Sequence, residues 1–330
     1  MRRGVILAVL AILAVFVVAC GATENNNNEN TNNNAGNNEV SNGENTTNEE
    51  PEETTLTITH ELGETEVDKN PEKVVVFDFG ALDTLDKLGI DVVGVAQGNI
   101  PSYLEKYESD EYENIGSLKE PDFEKIAEID PDIILISGRQ SDSYDELQKL
   151  GPTVYVGVDT TRYMDSFKEN ITLIGEIFGK EAEVQTELAE IEESITTLHE
   201  TATSADKNSL IILANDDKIS AYGPSSRFGI IHDVFGVPAV DEGIEASTHG
   251  QNVTFEYVME QDPDLLYVID RTAAIGDGSA AGIVENPLVE NTKAYQNDDI
   301  YYLDADFWYL SGGGLISVSE MVKEITESLE

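Results

Sequence analysis

From Leu56 onward the chain alternates short apolar runs with amphipathic stretches. Val74-Val75-Val76-Phe77 reads as a buried strand, residues 81–88 as a helix and residues 92–95 as a second strand. Residues 132–137 and 153–158 continue the strands, with a helix over 141–150 between them. Such a βαβ rhythm predicts a mainly parallel sheet with helices on its faces. It changes at Ser166. From there to about Leu198 there is no proline, and Phe167, Ile171, Ile174, Phe178, Leu188, Ile191, Ile195 and Leu198 largely keep helical spacing. One long helix is therefore expected over 166–200, acting as a rigid strut. Strand-like runs resume at 210–213, 219–222, 265–269 and 300–303.

An internal repeat turns this rhythm into an architecture. The seventeen residues from Phe123 to Arg139 align without gaps on those from Phe255 to Arg271, with seven identities. Each copy holds a short helical stretch, an Asp-Pro-Asp that stops it, a buried strand and a closing arginine. Proline disfavours helical geometry at the residue before it, and Asp122 and Thr254 are plausible N-caps. Two related units on either side of a strut predict an α/β protein of two Rossmann-like lobes facing across a cleft.

The ends locate the chain. Arg2 and Arg3 precede an unbroken apolar run of fifteen residues, Val5 to Ala19. That is shorter than the roughly 20 residues that span a bilayer, as expected of an export signal over 1–19. The run meets Cys20, the only cysteine, in Val17-Val18-Ala19-Cys20-Gly21, which resembles a lipobox and implies lipidation of Cys20. Residues 20–54 read as a flexible tether: thirteen of those after Cys20 are Asn, and none is Lys or Arg. The expected organisation is then an amino-terminal lobe over 55–165, the connecting helix over 166–200 and a carboxy-terminal lobe over 201–330. With a single cysteine no internal disulfide can form.

Charge sharpens the choice of candidates. Without Arg2 and Arg3, 17 basic residues stand against 65 acidic ones, a net charge of −48. This surface argues against nucleic-acid binding, which needs a basic footprint. Only four arginines remain: Arg139, Arg162, Arg227 and Arg271. Arg139 and Arg271 close equivalent strands, and in open α/β sheets the ligand crevice lies beyond the carboxyl ends of the strands. Arg227 sits in Gly223-Pro224-Ser225-Ser226-Arg227, ahead of a helical run expected over 228–235, whose start would itself favour an anion. A guanidinium stays charged and offers a fixed fork of donors suited to catecholate, carboxylate or phosphate oxygens. Arg162 is expected to pair with nearby acids instead.

The leader, the strut, the two lobes and the paired Asp-Pro-Asp strands resemble class III solute-binding proteins. These serve ABC importers of ferric siderophores, haem and cobalamin. More narrowly, Ser137-Gly138-Arg139-Gln140, the run from Gly223 through Arg227 to Asp233, and Val268-Ile269-Asp270-Arg271 are similar to segments of catecholate and petrobactin-type siderophore receptors. The resemblance implies that Arg139, Arg227 and Arg271 converge on an anionic iron complex carried as transported ligand, with no permanently bound cofactor. Thr248-His249-Gly250 and Trp308-Tyr309-Leu310-Ser311-Gly312 resemble segments that offer His249 and Tyr309 to ferric iron when the siderophore supplies only four donors. It also implies that Glu124 and Glu256, at equivalent helix starts, dock onto the membrane permease, which works with an ATPase. An acid at a helix start equally complements the dipole. The protein is expected to be a monomer tethered to the cell membrane on its extracytoplasmic face.

Two alternatives stay open at this point. One is a haem- or cobalamin-binding receptor of the same fold, in which haem could take His249 and Tyr309 as axial ligands. An extracellular enzyme is the other, although the chain has no G-x-S-x-G, H-E-x-x-H or P-loop.

Overall fold

The computed structural model describes residues 54–276 and 278–330. The expected signal segment, the Cys20 lipidation site and the tether through residue 53 lie outside the described residues. A hairpin of β1 (Thr55–His60) and β2 (Gly63–Asp68) comes first. The first lobe's sheet contains β3 (Val74–Val76), β4 (Gly94–Val95), β5 (Glu113–Asn114), β6 (Ile133–Ile136) and β7 (Thr153–Tyr155). Its order is β5-β4-β3-β6-β7 and every pairing is parallel. The second lobe's sheet contains β8 (Ser209–Asn215), β9 (Lys218–Tyr222), β10 (Gln251–Val253), β11 (Leu265–Asp270) and β12 (Ile300–Leu303). Its order is β10-β9-β8-β11-β12, parallel across β8, β11 and β12 and antiparallel at β9 and β10. Both lobes fall within one compact unit.

The central strands are apolar on both faces because both faces are covered. β3, β6 and β11 are buried throughout. Along β11, Leu265, Tyr267 and Ile269 enter one core while Leu266 and Val268 enter another, the two-residue period of a strand.

The sequence repeat is a structural repeat. Helices Phe123–Ile129 and Phe255–Gln261 each run seven residues and lead into β6 and β11. The stop falls at the residue before each proline, as expected. Each helix ends on an aspartate in the left-handed region, Asp130 at φ 55° and Asp262 at φ 46°, a conformation that Asp tolerates better than most residues. Asp122 caps its helix by accepting the Lys125 N–H at 3.0 Å. Thr254 occupies the equivalent N-cap position without a side-chain bond to the helix backbone.

The single helix expected over 166–200 is two helices, Tyr163–Phe178 and Glu181–Ala205. Gly179, left-handed at φ 61°, closes the first by donating to the Gly175 carbonyl. The second folds back on the first: Lys168 and Glu192, 24 residues apart, pair at 2.5 Å. In one continuous helix they would stand roughly 36 Å apart. A glycine at the end of a periodic run is the signal that the spacing of apolar residues hid.

The carboxy-terminal helix Leu315–Glu327 packs against Phe79–Lys87 of the first lobe and against Glu181–Ala205. Asp83, fully buried in the first lobe, accepts the Ile316 and Ser317 N–H groups at 3.2 and 3.0 Å. A carboxylate from one lobe therefore caps a helix that follows the other lobe's sheet. A Cβ on Gly314 would lie 1.8 Å from Asp83 Oδ1, so this approach requires glycine.

Burial pushes the Asp83 carboxyl up to about 7 against bonds from Ser317, Ile316 and Tyr103, which pull it down. A folded value above the ordinary 3.8 means that the native state holds the extra proton. The carboxyl's contribution to stability is then present below about pH 4 and lost as pH rises through about 7. Asp83→Asn should remove that slope. Urea unfolding from pH 4 to 7 should show the wild type losing on the order of a few kcal/mol relative to the variant. Parallel pH profiles would place the proton elsewhere.

Candidate functional site: an arginine cluster between the lobes

A cavity of about 1390 Å³ opens between the lobes. The first lobe contributes Asp78, Arg139 and Tyr155 to its wall, and the second contributes Arg227, His249 and Tyr309. Arg139 follows β6 in the short helical turn Gly138–Ser143, where the Gln140 side chain accepts the Ser137 N–H at 3.1 Å. Arg227 projects from a loop pinned by Asp233, which accepts the Ser225 N–H at 2.6 Å. The helical run expected over 228–235 shortens to Ile230–Asp233, so no helix start serves as an anion site there. Arg271 opens the helix Arg271–Ile275 directly after β11.

All three guanidiniums meet at one residue. Arg139 donates to the Tyr309 and Leu310 carbonyls at 2.8 and 3.3 Å, and Arg227 to the Tyr309 carbonyl at 2.6 Å. Arg271 donates through Nε to the Tyr309 hydroxyl at 2.7 Å and through Nη1 to Asn215. The Arg227 guanidinium also lies 4.5 Å from the centre of the Tyr309 ring, a cation–π contact. Arg271 does not itself line the cavity and reaches it through Tyr309. Tyr309 sits on a π-helical turn, Asp306–Ser311, closed by the Gly312 N–H donating to Phe307 at 2.7 Å. Such turns are rare and gather at functional sites.

What these arginines lack is as informative as what they touch. Among the described residues none of the three pairs with a carboxylate, although the chain carries 65 acids. Arg162 pairs with Asp159 at 3.4 Å and with Glu169. Carbonyl and phenol oxygens satisfy the guanidinium donors without cancelling their charge, so the cavity floor keeps a cationic field. Asp78 lines the cavity near Arg139, but burial pushes its carboxyl up. Burial also lowers the Arg227 pKa, and the charge of Arg139 adds to this.

A profile of the periplasmic binding protein family matches residues 74–307. The chain belongs to this family. The petrobactin-binding protein YclQ of Bacillus subtilis is 55% identical over 83% of this chain and 88% of that protein. Its crystal structure superposes with a TM-score of 0.82, at 54% identity, covering 84% of this chain and 99% of that one. The catecholate-siderophore binding protein VctP of Vibrio cholerae is 34% identical with a TM-score of 0.79, covering 83% and 99%. The ferric-anguibactin-binding protein FatB of Vibrio anguillarum is 32% identical over 85% of this chain and 89% of that protein.

Other candidates of this family member fall as follows. His249 is exposed and lines the same cavity as Tyr309. Glu124 and Glu256 are exposed at the first turns of the two repeated helices. His232 is half-buried, with Nδ1 2.8 Å from the Val237 carbonyl, and His199 contacts the Val234 carbonyl. His60 lines the cavity, 3.0 Å from Thr65 Oγ1. Sequence reasoning missed Asn215, which holds Arg271, and the π-helical turn itself. Only the run Gly312-Gly313-Gly314 hinted that the backbone there is unusually close to something else.

Burial pushes the Tyr309 phenol up, but the bond from Arg271 and the charges of Arg271, Arg227 and Arg139 outweigh it, and the net shift is downward. It is the one tyrosine among those with shifted ionisation to move that way. Ultraviolet titration of tyrosinate should therefore show a phenol ionising ahead of the ordinary range. Tyr309→Phe should abolish that phase. An early phase that survives the substitution would assign it to another residue.

Proposed function

We propose that this chain is the lipid-anchored, extracytoplasmic binding component of an ABC importer and captures a ferric siderophore of catecholate or petrobactin-like type. Three guanidiniums without carboxylate partners, converging on Tyr309 in the cavity wall, carry this reading. A ferric catecholate complex is a compact polyanion whose outer oxygens accept hydrogen bonds, and guanidinium forks match them. The cavity volume of about 1390 Å³ exceeds that of a drug-sized ligand site and suits a bulky metal complex. The ligands in the names of YclQ, VctP and FatB support the same class.

In this reading Arg139 and Arg227 hold the complex directly, and Arg271 acts with Tyr309. His249 and Tyr309 complete the iron coordination of a ligand with only four donors, and the lowered Tyr309 pKa favours the phenolate such bonding needs. Cys20 carries the lipid. Glu124 and Glu256 present one acid from each lobe to the permease, which an ATPase drives.

Replacing Arg139 or Arg227 by Ala should weaken ferric-catecholate binding by roughly 10- to 100-fold, since a charge-assisted hydrogen bond contributes about 1.5–3 kcal/mol, whereas replacing Arg271, which acts through Tyr309, should weaken chiefly a tetradentate complex. Arg162→Ala should bind as the wild type does. His249→Ala and Tyr309→Phe should spare a hexadentate complex and weaken a tetradentate one. Native mass spectrometry and fluorescence titration read these outcomes. Four arginine variants with equal affinity would sink the assignment.

A further inference from the structure

The turn that carries Tyr309 follows a strand of the second lobe, yet the first lobe holds it. The Ser102 N–H and hydroxyl both donate to Asp306 Oδ2, at 2.7 and 2.6 Å. The Tyr163 hydroxyl donates to the Gly312 carbonyl at 3.0 Å, and the Leu315 N–H donates to Thr84 Oγ1 at 3.2 Å. Asp83 caps the helix that comes next. One side chain joins the cap to the turn: the Tyr103 hydroxyl lies 3.1 Å from Asp83 Oδ2 and 2.7 Å from Ser311 Oγ. The Tyr103 ring packs 4.7 Å from that of Phe307 on the same turn.

The second lobe meets the other side of Tyr309. Arg227 and Arg271 are bonded to its carbonyl and hydroxyl. Tyr309 is thus fixed to the first lobe through its backbone neighbours and addressed by the second lobe through arginines. A displacement of the turn would misalign both sets of donors at once.

We infer that Tyr103, held by Asp83, is a positioning residue that fixes the Tyr309 turn to the first lobe and so sets how strongly the cleft holds an anionic ferric ligand. The binding part rests on the function proposed above; the positioning part does not. Tyr103→Phe removes the hydroxyl while keeping the ring against Phe307 and leaving the Asp83 bonds to backbone in place. Ser311→Ala removes the same bond from its other end.

Trp308, the only tryptophan, is 2% exposed on the same turn and donates through Nε1 to Glu324 at 2.6 Å. It reports the turn's position without any ligand. In the ligand-free protein, both variants should raise acrylamide quenching of Trp308 with little change in melting temperature. Both should weaken binding of a tetradentate ferric catecholate by roughly three- to tenfold, the range of one lost hydrogen bond. Because Tyr103 and Ser311 are the two ends of one bond, Tyr103→Phe combined with Ser311→Ala should bind no more weakly than either variant alone. Unchanged quenching in both variants overturns the positioning role, as do binding losses that simply add. A wild type that binds no ferric catecholate would instead overturn the proposed ligand, and quenching would still decide the positioning.

Discussion

Everything at this site depends on keeping three guanidiniums charged and free of carboxylates in a protein overloaded with acid. Ion pairing is the default fate of arginine here, as Arg162 shows with Asp159 and Glu169. The fold avoids that fate by giving Arg139 and Arg227 backbone carbonyls and giving Arg271 a phenol and an amide. These acceptors satisfy the donors and leave the field intact. Arg227, largely buried beside the interlobe cavity, exerts its field at a lower effective dielectric than a surface charge would. An arriving anion exchanges neutral partners for charged ones, which separating an existing ion pair would not allow.

The global charge works the other way. A receptor of net charge −46 repels a polyanion at long range. Screening removes distant repulsion first, because the Debye length is about 10 Å at 0.1 M salt while cleft contacts are much shorter. The acidic exterior and the cationic floor can therefore coexist where salt is moderate. The exterior keeps the protein soluble and self-repelling, and the floor alone sets the contact chemistry.

Much of this was legible in the chain. The repeat that pairs Arg139 with Arg271 foretold two lobes, and four arginines among 65 acids made the choice of candidates small. Apolar runs marked the central strands because strands covered on both faces need no polar alternation. Other features depend on contacts distant in sequence. The strut breaks at Gly179, a single residue whose effect the surrounding apolar spacing concealed. Asp83 and Tyr103 look like ordinary helix and loop residues until residues more than 200 positions away arrive beside them. That Arg139 and Arg227 rest on a Tyr309 carbonyl could not be read from side-chain types at all, since the acceptor is backbone.

The central claim is an exchange of partners at Arg139 and Arg227, from the Tyr309 carbonyl to the oxygens of a ferric catecholate. A crystal structure of the protein with that complex tests it most directly. The account predicts catecholate oxygens within about 2.7–3.2 Å of both guanidiniums, with the iron in the cavity between the lobes. A complex seated elsewhere, with both arginines still bonded to Tyr309, would contradict it.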